Sequence, residues 1–177
     1  MKQLILLLLL CQVGFAQNER IPGAVIKDYG WTYDVPLKDI PTDTTNTFKV
    51  LFDLSSAPED PAELSRYINT VARFINMHVE DGKPASQLQV AAVFHGSASY
   101  SLLKDEYYKE QFGVSNPNLK LIQALQQADV EIILCGQTAG HRNLNESRRI
   151  PGVLMSLSTM TAMIQYKNQG YTIINFN

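Results

Sequence analysis

Two hydrophobic periods alternate along residues 48–177. Short, nearly continuous apolar runs have strand length: FKVLFDL at Phe48 to Leu54, LQVAAVF at Leu88 to Phe94, VEIIL at Val130 to Leu134 and YTIINF at Tyr171 to Phe176. Between them the spacing becomes helical. Leu64, Ile68, Val71 and Ile75 lie on one predicted helix face. Asp60-Pro61-Ala62-Glu63 has the character of a capped helix start there, and Gly82 of its stop. Asn116-Pro117 opens a second helix carrying Leu121, Ile122, Leu125 and Ala128. Leu157, Met160 and Ile164 mark a third, ended by Gly170, and Met155, Met160 and Met163 are expected in its core. Val153 to Met155 adds a short fourth strand, while the stretch from Ser97 through Phe112 is polar and aromatic, and His141 to Ile150 is basic and loop-like. Strands joined by helical crossovers predict an α/β fold: a three-layer α/β/α unit around a mostly parallel sheet of four to five strands.

The residues before this unit follow neither period. Residues 17–47 contain Pro22, Pro36, Pro41 and the polar run Thr42 to Asn46, and are read as an extended arm whose Tyr29, Trp31, Tyr33 and Val35 can pack on the domain or on a neighbouring subunit. Residues 1–16 have the form of a secretory signal peptide: Lys2, an apolar run from Leu4 to Val13, then Gly14-Phe15-Ala16. That run is shorter than the roughly 20 residues of a spanning helix, so no membrane span is expected after its removal. The expected location is therefore periplasmic or secreted. Lipidation at Cys11 is disfavoured because Leu10, rather than a small residue, precedes it.

Composition narrows the function classes. At 177 residues, 45% hydrophobic and 18% charged, the chain suits one domain with a sizeable core. A net charge of −2 supplies no basic surface for nucleic acid. There is no Walker phosphate loop, dinucleotide glycine fingerprint, G-x-S-x-G elbow or C-x-x-C pair. No cofactor is implied.

Candidate chemistry falls at the carboxyl ends of the strands, where open α/β sheets bind ligands. Asp53, His95 and Cys135 stand there. Cys135 is the one cysteine left once the signal is removed. Gly136-Gln137-Thr138 behind it can open a turn or short helix whose amides favour a thiolate, and Arg142, Arg148 and Arg149 can add positive potential. His95 is either a proton donor to Cys135 or a histidine satisfied at a strand-to-helix turn. Gly96 and Ser97 suit a tight turn followed by a cap, Asp53 can cap the turn at Ser55-Ser56, and a zinc site from Cys135, His95 and His141 lacks motif spacing.

These segments resemble the DsrE/DsrF-like family, whose sulfur-relay members include the DsrE and TusD proteins. The resemblance rests on Val93-Phe94-His95-Gly96, on Asn118-Leu119 leading a helix, on Val130 to Ala139 with Cys135 inside it, and on Pro151-Gly152-Val153 followed by a helix and Gly170-Tyr171. It covers residues 48–177 and omits the signal and the arm. It implies a DsrE/YchN-like sheet between helices, assembly into a trimer or hexamer, and a persulfide-accepting role for Cys135 opposite a sulfur donor or acceptor protein. Gly96, Ser97, Gly136, Gln137, Thr138 and Arg142 would then line the ligand site, with His95 beside the thiol. Export sets this chain apart from the cytosolic relay proteins, since an exposed thiolate outside the cytosol is readily oxidised. The function expected is therefore sulfur handling, at most as a sulfurtransferase-like carrier. The alternative is a non-enzymatic ligand-binding or assembly module in which Cys135 is structural.

Overall fold

The computed structural model describes residues 19–176; the expected export signal lies outside them. The arm begins with a two-stranded antiparallel ribbon, β1 (Arg20–Ile21) and β2 (Thr32–Tyr33). The domain then runs β3 (Phe48–Leu54), α1 (Arg66–Glu80), β4 (Leu88–Phe94), α2 (Asp105–Phe112), α3 (Leu119–Gln127), β5 (Glu131–Cys135), α4 (Gly136–Arg142), β6 (Leu154–Ser156), α5 (Thr159–Asn168) and β7 (Thr172–Asn175). Five strands form one sheet in the order β6-β5-β4-β3-β7, every pairing parallel. The expected α/β architecture is present, with five strands. Among the described residues no helix is long and apolar enough to cross a membrane.

The sheet's two faces are unequally covered. Val50, Phe52, Leu54, Val90, Ala92, Phe94, Ile132 and Leu134 point to one side, where the α1 stripe Ile68, Val71, Ala72 and Ile75 and the α3 residues Leu121, Ile122 and Leu125 complete the main core. Leu51, Ala91, Val93 and Ile133 point to the other, where Ala162, Met163 and Tyr166 of α5 cover them together with Tyr171 and Ile173. This alternation follows from the two-residue period of a strand.

Several boundaries differ from expectation. Asp60 to Glu63 form a turn, in which Asp60 Oδ1 accepts from the Ala62 amide at 2.8 Å, and α1 starts five residues later with Ser65 as its cap, accepting from the Ile68 amide. Leu64 is consequently more than a third exposed. The polar, aromatic stretch is helical: a 3₁₀ segment Gly96–Leu102 and then α2, whose apolar side is Tyr108 and Phe112. His141 and Arg142 belong to α4 and not to the basic loop. The methionine expectation is corrected too. Met163 packs on the sheet, but Met160 is 71% exposed and Met155 45%. Leu157 and Ile164 accompany them outside, at 71% and 62%. α5 carries two apolar faces, and a single chain can bury only one of them.

The arm is fastened rather than loose. Asn76, fully buried on α1, accepts from the amides of Val25 (3.1 Å) and Ile26 (2.9 Å) through Oδ1. Its Nδ2 donates to the carbonyls of Ile26, Tyr29 and Gly30. Gly23 has no room for a Cβ, which would lie 1.8 Å from that same amide nitrogen. Further along, the buried Lys83 donates to the carbonyls of Asp43 (2.7 Å) and Asn46 (2.5 Å), with its ammonium 3.8 Å from the centre of the Phe48 ring. A buried ammonium needs such acceptors to offset its lost hydration.

Candidate functional site

β5 delivers Cys135 to the carboxyl edge of the sheet, where the chain turns directly into α4. Cys135 occupies the cap position of that helix, with extended backbone angles, and is 5% exposed. The turn is tight because β6 and its connection to α5 press against it. A Cβ on Gly136 would lie 2.6 Å from the Ser156 carbonyl and 3.1 Å from that of Leu157. Gln137 ties the same contact by donating to the Leu157 carbonyl at 3.3 Å.

Two threonines set the thiol's chemistry. Burial pushes the Cys135 thiol up, yet the hydroxyl and amide of Thr138 and those of Thr159 more than offset this and bring it down to about 7. Thr138 belongs to α4 and Thr159 to the first turn of α5. Donors favour the thiolate because it accepts hydrogen bonds more strongly than the thiol. Thr159 Oγ1 is buried without a hydrogen bond of ordinary geometry, and a thiolate at Cys135 would give it an acceptor. A thiol held near 7 favours the thiolate, the form that attacks sulfur, at neutral pH more than an ordinary cysteine does.

On β3 and β4 a second pair faces the same side of the sheet. Asp53, 4% exposed, lies 2.9 Å by Oδ1 from His95 Nε2. Phe94 and Leu134 are register partners, so His95, just past the end of β4, and Cys135, the last residue of β5, follow at the same edge of the sheet. Its bonded partner is nonetheless Asp53, and the groups acting on the thiol are the two threonines. Gly96 follows with φ +51°, and a Cβ there would lie 2.5 Å from the Ser55 carbonyl. Ser97 does not cap the 3₁₀ segment: its hydroxyl accepts from the Ala57 amide at 2.9 Å and ties together the loops after β3 and β4.

The arginines stand apart from the thiol. Arg142 ends α4, the helix that Cys135 begins, and its guanidinium lies over the Tyr100 ring at 4.4 Å. Arg148 lies over Tyr107 at 4.9 Å and meets Glu110 at 3.5 Å, and Arg149 pairs with Leu103 through a backbone bridge. His141 sits beside Arg142 in the last turn of α4. Among the described residues no three His, Cys, Asp or Glu side chains gather as a metal site. The sequence sets Asp53 beside His95 and Cys135 at the strand ends, with turn capping as its simplest role, and does not mark Thr159. The signal for Asp53 is an acid in the buried part of a strand whose one other charged residue, Lys49, lies near its start. Thr159 is 24 residues from Cys135 and carries no local mark.

Residues 49–176 match the family model described as the DsrE/DsrF-like family. No curated protein matches the chain. Two solved structures share the fold. One is a protein of unknown function, MTH1491, from Methanobacterium thermoautotrophicum, with a TM-score of 0.56 and 14% identity over 72% of this chain and 98% of the other. The second is the ychN protein of E. coli, with a TM-score of 0.53 and 16% identity over 73% of this chain and 100% of the other.

Proposed function

Because the chain belongs to the DsrE/DsrF-like family, we propose that it is an exported sulfur-handling protein whose Cys135 accepts sulfur as a persulfide. The observation that carries this reading is the place of Cys135 at the carboxyl end of β5 and the cap of α4, where Thr138 and Thr159 bring a buried thiol down to about 7. A cysteine serving only as core filler would have burial acting alone, which raises the thiol and suppresses the thiolate. In the reaction, the Cys135 thiolate attacks the outer sulfur of a donor persulfide, RS–SH. The new S–S bond forms on Cys135 as the donor's S–S bond breaks, and the donor leaves as RS⁻. No net oxidation occurs. Thr138 and Thr159 stabilise the anion before attack, and low exposure shelters the product from oxidants in an exported protein. His95, held by Asp53 beside the cysteine, supplies or takes the proton as the persulfide forms and leaves.

The same reading includes self-association. Leu154, Met155, Leu157, Met160 and Ile164 are 45–71% exposed along β6 and α5, next to the thiol. A second copy covering them would bury the uncovered side of α5 and enclose Cys135 further, in keeping with the trimer or hexamer that the family resemblance implies. An apolar patch of this kind marks an interaction surface.

Intact mass tests the chemistry. The protein should gain 32 Da from a persulfide donor, lose it to a reductant, and gain nothing as Cys135→Ser. Equal uptake by the serine variant would overturn the sulfur reading. A native thiol that alkylates only after denaturation would support the alternative, an assembly or ligand-binding module with a structural cysteine.

A further inference from the structure

On the side of the sheet away from α5, the arm and the C-terminal half of α1 enclose a cavity of about 550 Å³. It lies largely outside the segment shared with the family, and the sulfur chemistry makes no use of it. Its volume is within the range of small-molecule sites, and its walls are mainly apolar and aromatic. Trp31, Tyr33 and Met77 contribute, each exposed by 43–49%, which is high for large apolar side chains on a packed arm. Two flat rings and an adaptable thioether suit a flat apolar body.

The charges around this wall balance formally but not in what they have left to bond. Glu80 is occupied by the Thr32 hydroxyl and the Ala24 amide. Asp81 is paired with Lys38 at 2.5 Å, and Lys38 donates in addition to the Val35 carbonyl. Among the acids of the lining, only Asp34 is without a partner among the described residues. Two guanidiniums stand against it. Arg73 makes no hydrogen bond or ion pair among the described residues, and Arg20 uses a single N–H, on the Tyr33 hydroxyl at 3.0 Å. The unspent donors thus favour an anion, and a planar guanidinium pairs best with a carboxylate, through two parallel hydrogen bonds.

We propose that this cavity is a binding site for a small organic carboxylate with an aromatic body, the ring lying against Trp31, Tyr33 and Met77 and the carboxylate on Arg73. Contacts behind and beside the cavity hold its walls to α1. Asn76 holds the turn between β1 and β2, and the Lys38–Asp81 pair holds the segment after β2.

Trp31 is the chain's single tryptophan, so its emission reports on the cavity directly. The mature protein would be titrated with phenylacetate, phenylacetamide and phenethylammonium, which share the ring and differ in charge. Phenylacetate should change the emission saturably below ~10 mM, with the amide and the cation at least about tenfold weaker, the scale of one charge-assisted hydrogen bond. Arg73→Gln should weaken phenylacetate to the level of the amide while leaving the amide unchanged, and Arg73→Lys should fall between. Arg73 is exposed on α1, so far-UV circular dichroism should confirm an intact fold in both variants. No saturable response to phenylacetate, equal binding of all three probes, or an unaltered Arg73→Gln titration would each overturn the proposal.

Discussion

The threonine pair at Cys135 makes a quantitative demand on the thiol's pH profile. With the thiol near 7, about half the population is expected as thiolate at pH 7, against about 1% for a cysteine at its ordinary value of 9.0. Thr159→Val removes one hydroxyl while keeping the shape of the side chain. A hydrogen bond to a charged group is worth about 1.5–3 kcal/mol, and one pKa unit corresponds to 1.36 kcal/mol, so the midpoint should rise by about one unit or more. For a rise of one unit, the thiolate fraction at pH 7 falls from about one half to about a tenth. A more basic thiolate is intrinsically more nucleophilic, by about threefold per unit, so the rate at pH 7 falls only about twofold. The midpoint is therefore the quantity to measure, and the absolute rate is not. Iodoacetamide alkylation of the native protein from pH 5.5 to 10, followed by intact mass, gives that midpoint whatever the access. The expectation is about 7 for the wild type, a higher value for Thr159→Val, and higher still when Thr138→Val is added. A wild-type midpoint at 8.5 or above, or one that Thr159→Val leaves in place, would refute the account of the site.

Four further outcomes follow from other parts of the molecule. The folded thiol titrates below its ordinary value of 9.0, so its contribution to stability is fully present above about 9 and disappears as pH falls through 7; urea midpoints of the wild type should show a pH slope in that window that Cys135→Ala lacks. Asp53→Asn should lower stability by about 1–3 kcal/mol, the partner His95 being partly solvated, and should leave the thiol midpoint near 7, read by denaturation and by the same alkylation profile. If copies of the chain join through the proposed face, Leu157→Glu combined with Met160→Glu should lower the mass in sedimentation to that of a monomer while changing monomer stability by less than about 0.5 kcal/mol, both side chains being exposed; a mass that the pair leaves unchanged would overturn self-association through this face. Asn76→Ala should release the turn at residues 23–30, raising amide exchange and protease cleavage there while the sheet stays protected.

The buried parallel strands were legible because each is a continuous apolar run, and β3 and β4 match their expected limits. Helix starts were less so. Asp60-Pro61 satisfies local capping rules and still makes only a turn, since the cap that matters is Ser65, fixed by Asn118 through a contact 53 residues away. α5 misled for a related reason: its periodicity is real, but periodicity does not say whether an apolar face meets the sheet or the outside. The site divides in the same way. Cys135, His95 and Thr138 are local features of strand ends, whereas Thr159 reaches the thiol only through sheet order. The arginines near Cys135 in sequence stack on tyrosines, a pairing that charge counting does not reveal.

That Thr138 and Thr159 lie before and after the edge strand β6 in the chain links the acidity of Cys135 to the seating of α5. Between them run the loop after α4 and the short β6, which pairs with one neighbour and holds Gly136 by carbonyl contact. If α5 lifts, the thiolate loses donors and becomes more basic. By thermodynamic reciprocity, deprotonating Cys135, or replacing its proton with an outer sulfur that also accepts hydrogen bonds, draws α5 down. Any contact that grips the outer stripe of α5 would therefore tune the acidity of Cys135 without touching it, and the charge state of a single atom would feed back on how firmly that contact is held.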